Sequence, residues 1–131
     1  MSDSSEYAAT HIVDAAITVH SVIGPGLLES AYVACLALEL RARGLNVRSQ
    51  VPLPIIYGGQ QIDVAYRIDL LVEDTVIVEA KAVARLLPVH EAQLLSYLRL
   101  SDKRIGFLLN FHVSRMRDGI KRMVNGWSTT D

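Results

Sequence analysis

The segment Arg67-Ile68-Asp69-Leu70-Leu71-Val72-Glu73-Asp74-Thr75-Val76-Ile77-Val78-Glu79-Ala80-Lys81 constrains the fold more than any other part of the chain. Two β-branched and aliphatic runs flank a polar break, which predicts a hairpin. Residues two apart on a strand share a face, so Glu79 and Lys81 must point the same way. Asp69 joins them only if the connection is the three-residue loop Glu73-Asp74-Thr75 or an equivalent bulge. A two-residue Glu73-Asp74 turn would set Asp69 opposite Val78 and send Glu79 to the other face, because a slip of one residue flips every side chain. A three-residue loop needs a residue in the left-handed region, here Asp74 or Thr75, and aspartate tolerates it better. Two carboxylates and an ammonium on one face at a sheet end suit a hard divalent cation and a phosphate. The bland alternative is an exposed strand-end pair, Glu79 and Lys81, beside a turn-side acid.

The 131 residues fit one domain, 1–131, with short loose tails. A domain of this size buries about two thirds of the surface its unfolded chain exposes. Half of the residues are hydrophobic but only 6% aromatic, so the core must be aliphatic. No uncharged apolar run reaches membrane-spanning length, which predicts no membrane partner. The start, Met1-Ser2-Asp3-Ser4-Ser5-Glu6, lacks the basic and apolar blocks of a signal peptide. Cys35 is the only cysteine, which excludes an internal disulfide and a paired-cysteine metal site. These features together predict a cytoplasmic protein. A formal net charge of −1 excludes the electrostatic footprint of a strong general nucleic-acid binder. It leaves room for a nuclease, because a bound cation adds local positive charge. Arg115, Arg117, Lys121 and Arg122 also cluster near the C-terminus, with Arg99, Lys103 and Arg104 upstream; the bland reading, a solvated helix face, is the favoured one for such a run.

Apolar positions at three- and four-residue steps predict a helix over 6–23, broken by Gly24-Pro25-Gly26. A second helix runs from Leu27 to about Arg43, with Gly44 as its C-terminal cap. Val47–Tyr57 reads as extended, and Pro52 and Pro54 mark it as an edge strand or one carrying a bulge. Gly58-Gly59 is a turn signal. The hairpin strands span 62–72 and 75–81. A helix over Leu86–Leu100 opens at Pro88. Arg104–Asn110 reads as a strand buried on both faces, and its helical crossover allows a parallel neighbour. A short basic helix over about 114–124 ends the expected fold, with a loose tail after Asn125. The order predicts a mixed α/β domain, a hairpin-connected sheet covered by helices.

Two further groups could carry chemistry. His90, Gln93 and Tyr97 lie at i, i+3 and i+7, one stripe of the helix after the hairpin. Gln93 could bond a phosphate or steady Lys81; a half-exposed polar face is the alternative. Glu29 falls within the apolar turn Gly26-Leu27-Leu28-Glu29-Ser30-Ala31-Tyr32, where the helix dipole favours an acid. It could also be a further acid aimed at a metal. Tyr32 and Cys35 read as core, His11 and His20 as helix-face residues, and His112 has no evident partner.

Gly26-x-x-Glu29-x-x-Tyr32 resembles the signature of the GxxExxY proteins. The flanking Val19-His20-x-x-Ile23-Gly24-Pro25 is similar to that family too. So are Arg67-x-Asp69-Leu70-Leu71-Val72, Val78-Glu79-x-Lys81 and Pro88-Val89-His90-x-x-Gln93-x-x-x-Tyr97. The likeness runs from about residue 8 to residue 125. It implies the PD-(D/E)XK nuclease-like superfamily and a restriction-endonuclease-like core, a mixed β-sheet with a central hairpin flanked by helices. It further implies Asp69 and Glu79 as ligands of Mg²⁺ or Mn²⁺, Lys81 as the catalytic lysine, and Glu29 as the helix acid. Gln93 and Tyr97 resemble the QxxxY motif of RecB-like nucleases, which sits beside the active site. Ile68 departs from the superfamily name, which has proline there.

The reading that follows is a metal-dependent nuclease acting on DNA or RNA phosphodiesters. Lys81, Glu29 and Gln93 are expected in catalysis, and Tyr97, His90 and Arg117 in substrate binding. A non-catalytic protein-interaction or oligomerisation module on the same fold is the alternative, and a hydrolase of smaller phosphoesters a third. Modest charge and short length suit a nuclease that works with a protein partner or as a homodimer.

Overall fold

The computed structural model describes residues 2–64 and 66–126. Two helices open the chain, α1 (Ser2–Ile23) and α2 (Glu29–Ala42). Strand β1 (Val47–Pro52) follows, then a small hairpin of β2 (Ile55–Tyr57) and β3 (Gln60–Ile62). The central hairpin is β4 (Arg67–Val72) and β5 (Val76–Lys81), and helix α3 (Pro88–Ser101) crosses over to β6 (Ile105–Asn110). A 3-10 turn (Met116–Gly119) leads into β7 (Ile120–Val124). The main sheet has the order β1-β4-β5-β6-β7, and β2 and β3 pair separately. All neighbours in the main sheet are antiparallel except β5 and β6, which run parallel as the crossover allows.

Aliphatic layers lie on both faces of the sheet. Ile12, Val19, Tyr32, Leu36 and Leu40 of α1 and α2 pack on Leu70, Val72, Val76, Val78 and Phe107. Leu94, Tyr97 and Leu98 of α3 pack on Ile77 and Leu108. Strands sandwiched this way are apolar on both sides, and every residue of β6 is buried.

Several expected boundaries shift. The segment expected as one strand over 62–72 is two, with Ile62 ending β3 and Arg67 starting β4. Val47–Tyr57 likewise divides between β1 and β2 at Leu53-Pro54. The basic helix expected over 114–124 is not formed; the segment is the 3-10 turn and β7. Ile120, Met123 and Val124 have helical spacing, but a buried β6 with one open edge needs a partner for its backbone, and β7 supplies it. Gly119 permits the entry into β7, since a Cβ there would run into the backbone carbonyl of Asn110. His20, expected on a helix face, is buried, with Nε2 2.8 Å from the Val113 carbonyl oxygen. The tail expected to be loose after Asn125 lies, from residue 127 on, outside the described residues.

The connection between α1 and α2 is held by Tyr32. Its hydroxyl donates to the Gly24 carbonyl at 2.6 Å and accepts the Leu27 N–H at 3.1 Å. The ring stacks on Phe111 with centroids 4.4 Å apart. Gly24 and Gly26 take left-handed φ values of 68° and 101°, which lets the chain turn tightly there. Tyr32 thus fixes where α2 begins, and Glu29 is its first residue. Removing this buried hydroxyl leaves two backbone groups unpaired. Tyr32→Phe is therefore expected to cost about 1–3 kcal/mol, read as a lower denaturant midpoint with unchanged m-value.

Candidate active site

Asp69 and Glu79 meet where the central ladder opens. β4 and β5 pair Val72 with Val76, Leu71 with Ile77 and Leu70 with Val78, which makes Glu73-Asp74-Thr75 a three-residue loop. Continuing the register sets Asp69 opposite Glu79, on one face, as the chemistry of the segment requires. The left-handed residues are Glu73 (φ 53°) and Asp74 (φ 56°), so of the two expected candidates the aspartate takes that role and Glu73 joins it. The Thr75 N–H closes the turn on the Val72 carbonyl at 3.0 Å.

At Asp69 the carboxylates replace backbone acceptors. The Asp69 N–H donates to Glu79 Oε2 at 2.9 Å, and the Ala80 N–H donates to Asp69 Oδ2 at 2.9 Å. One oxygen of each acid is thereby tied to the opposite strand. On the other side, β1 pairs Ser49 with Leu70 and Val51 with Ile68, and between them Gln50 takes a left-handed φ of 54°. Both strands rotate at this point. Val47, Leu70 and Val72 face α1 and α2, whereas Val51, Ile68 and Leu71 belong to the layer under α3. A regular strand would keep Ile68 and Leu70 on one face.

Other groups converge from the helices. Lys81 Nζ donates to Gln93 Oε1 at 3.4 Å, linking β5 to α3. Glu29 Oε2 accepts the Ala82 N–H at 3.1 Å, which brings the first turn of α2 to the end of β5. Tyr97 is buried on the same face of α3 as Leu94 and Leu98. Its hydroxyl pKa is raised by burial and then by Glu79, Tyr66 and Asp69, which places the phenol in the field of both acids. His90 Nδ1 accepts the Leu87 N–H at 2.9 Å and so caps the start of α3. Arg117 is exposed on the 3-10 turn, with no hydrogen bond or ion pair to these acids among the described residues. Gln50 was not anticipated; it lies across from Asp69 in the β1–β4 register and favours the charged form of that acid. The proline-marked distortion of β1 was the signal that this strand departs from a regular ladder.

Burial dominates the electrostatics. Glu79 is only 4% exposed, and its pKa is pushed up to about 8, first by desolvation and then by the Asp69 charge. The Asp69 N–H and Lys81 pull in the other direction. Asp69 is raised too, by burial, against the Ala80 N–H, Lys81 and Gln50. Two adjacent acids whose charged forms burial disfavours are a site that a cation would relieve. Oxygen donors of this kind suit hard ions such as Mg²⁺, which keep several waters. Among the described residues no group of three or more His, Cys, Asp or Glu is placed to hold a metal, so two carboxylates are the acid donors available. The residues fit a hard cation whose remaining ligands are waters or backbone.

The family model described as PD-(D/E)XK nuclease superfamily matches residues 6–123. The chain belongs to the PD-(D/E)XK nuclease superfamily. No curated protein and no solved structure gives a match. The five-stranded mixed sheet flanked by helices agrees with the restriction-endonuclease-like fold of that superfamily. Among the described residues no helix is long and apolar enough to cross a membrane.

The raised Glu79 pKa has a stability consequence with a definite sign. The folded protein holds this proton more tightly than the unfolded chain does. The resulting stability is full below about pH 4.5 and is lost as pH rises through about 8. In chelated buffer, Glu79→Gln is expected to melt above wild type at pH 8.5 by on the order of 5 °C, with the gap closing toward pH 5. A melting-temperature series over that range checks it, and a gap that ignores pH contradicts the burial argument.

Proposed function

We propose that the protein is a metal-dependent nuclease that hydrolyses DNA or RNA phosphodiester bonds, of the GxxExxY type within its superfamily. The observation that carries this reading is the facing pair Asp69 and Glu79 with Lys81 on the same face, held by Gln93. Asp69 and Glu79 would hold Mg²⁺ or Mn²⁺. The Ala80 N–H points toward β4, so its carbonyl lies on the same edge, where the ladder is open, and can serve as a further donor. Bound there, the ion would supply Lewis-acid stabilisation of charge on the phosphate.

The remaining roles belong to the chain itself. Lys81 presents an ammonium to the phosphate and offsets the negative charge that grows in the transition state. Gln93 positions Lys81 through its carbonyl oxygen and leaves its amide N–H groups for a phosphate oxygen. Glu29 anchors the end of β5 and keeps a second carboxylate oxygen near the site. Gln50 orients Asp69. Tyr97 closes the apolar side, and Arg117 serves substrate affinity from the periphery. A nuclease with a net charge of −1 would need a second copy or a protein partner for strong binding.

One observation favours the non-catalytic reading: Val22 of α1 (76% exposed), Leu28 just before α2 (77%) and Leu38 of α2 (71%) expose apolar surface, as an interaction module would. The assay that separates the readings compares wild type with Lys81→Ala on single-stranded DNA, duplex DNA and RNA, with and without Mg²⁺ or Mn²⁺. Lys81→Ala is expected to lose about 10²-fold or more in rate yet keep the metal-induced rise in melting temperature. Asp69→Ala and Glu79→Ala are expected to lose that rise, since only binding to the native state stabilises it. A wild type inert on every substrate with every ion sinks the nuclease reading in favour of the interaction module.

A further inference from the structure

A cavity of about 560 Å³ opens along α3, closed on its other side by Ile55 of β2 and by Tyr66 just before β4. Its walls are Ile55, Tyr66, Val89, Tyr97 and Leu100, with Gln93 on the side of Lys81. The rings of Tyr66 and Tyr97 stand 6.0 Å apart, tilted by 59°. Two of the five tyrosines in an aromatic-poor chain therefore meet here. Tyr66 is 43% exposed and Val89 64%, whereas Tyr97 is buried behind them, so Tyr66 supplies the accessible ring. Arg99 is the one charged residue on the lining. The volume lies within the range of about 300–1,000 Å³ usual for ligand pockets. The lining is too apolar for a phosphate and too aromatic for a mere crevice. Gln93 belongs to both this cavity and the Lys81 contact, so it joins the cavity to the end of the strand that carries Glu79.

We propose that this cavity receives an unpaired nucleobase next to the scissile phosphate, which makes the protein a nuclease for single-stranded segments. The inference rests on the nuclease reading above and adds its substrate class. Inside a duplex both π-faces of a base are covered by its neighbours, so a pocket whose open wall is the Tyr66 ring can stack only a base that has left the duplex. Stacking is sequence-tolerant, because every base has a π-face. It also supplies affinity that this chain's charge cannot. Arg99 at the rim is placed for the backbone of the same strand, and Gln93 bridges base pocket and phosphate site.

The test uses Tyr66, which touches neither Lys81 nor the acids through any hydrogen bond and is exposed enough to be replaced without unfolding the core. Binding is measured in the Lys81→Ala background, so that cleavage is not needed, with single-stranded DNA and RNA carrying 2-aminopurine and with the matching duplexes. The expected result is tighter binding of a single strand than of its duplex, with quenching of the 2-aminopurine signal. Tyr66→Leu should weaken single-strand binding by roughly 5- to 100-fold and leave duplex binding unchanged, while Tyr66→Phe keeps it. Equal affinity for single strand and duplex, no binding of either, or an unchanged Tyr66→Leu overturns the proposal. Cleavage by the otherwise wild-type protein is scored separately. Single-strand binding without cleavage would sink the nuclease reading alone, and cleavage indifferent to Tyr66 would sink the base pocket alone.

Discussion

Between Leu70 and Arg67 the central hairpin is held together by carboxylates where a ladder would use carbonyl oxygens. Asp69 and Glu79 each accept a backbone N–H from the opposite strand. Much of the rest follows. The strands can separate there without leaving those N–H groups unpaired, a cost that would otherwise forbid an open ladder in a buried sheet. Separation lets β1 and β4 rotate at Gln50 and Asp69, which changes the face of Val51 and Ile68. It also leaves one oxygen of each acid outside the backbone bonds, at the place where α2 and α3 bring Glu29 and Gln93.

Holding the acids this way has an energetic side. A buried carboxylate that accepts only one backbone N–H is poorly compensated, and Glu79 responds by keeping its proton to about pH 8. The apolar layers make this tolerable. Leu94 and Leu98 of α3 and Ile77 and Leu108 of the sheet are fully or almost fully buried around it. The stable part of the molecule and the uncomfortable part are adjacent, separated by one residue along β5.

Much of this was legible in the sequence because alternation and chemistry agree at a few positions. Glu79 and Lys81 two apart fix a face, and only a three-residue loop puts Asp69 there. The structure has that loop, with Asp74 in the left-handed region as favoured and Glu73 there beside it. Gln93 meets Lys81, as a stripe on the helix after the hairpin would allow. His90 caps α3 through Nδ1, and Arg117 is exposed on the 3-10 turn. Where local spacing and tertiary need diverged, spacing misled. Ile120, Met123 and Val124 read as helix, yet the open edge of β6 drew them into a strand. Gln50 escaped notice because an exposed glutamine in an edge strand looks like surface; only the register against β4 reveals that it faces Asp69.

The parallel pairing of β5 with β6 has a consequence for the order in which the site can form. The hairpin that brings Asp69 to Glu79 is local and closes a short loop. The pairing of Glu79 with Leu108 waits for the whole of α3 to cross over, and the Glu29 contact spans 53 residues. Short loops close at little entropic cost and long ones later. The two acids therefore meet while still hydrated, and they lose water only when the two helices dock. Proton uptake by Glu79 becomes a late event of folding, so the rate of the final docking step, and not that of hairpin formation, should carry the dependence on hydrogen-ion concentration.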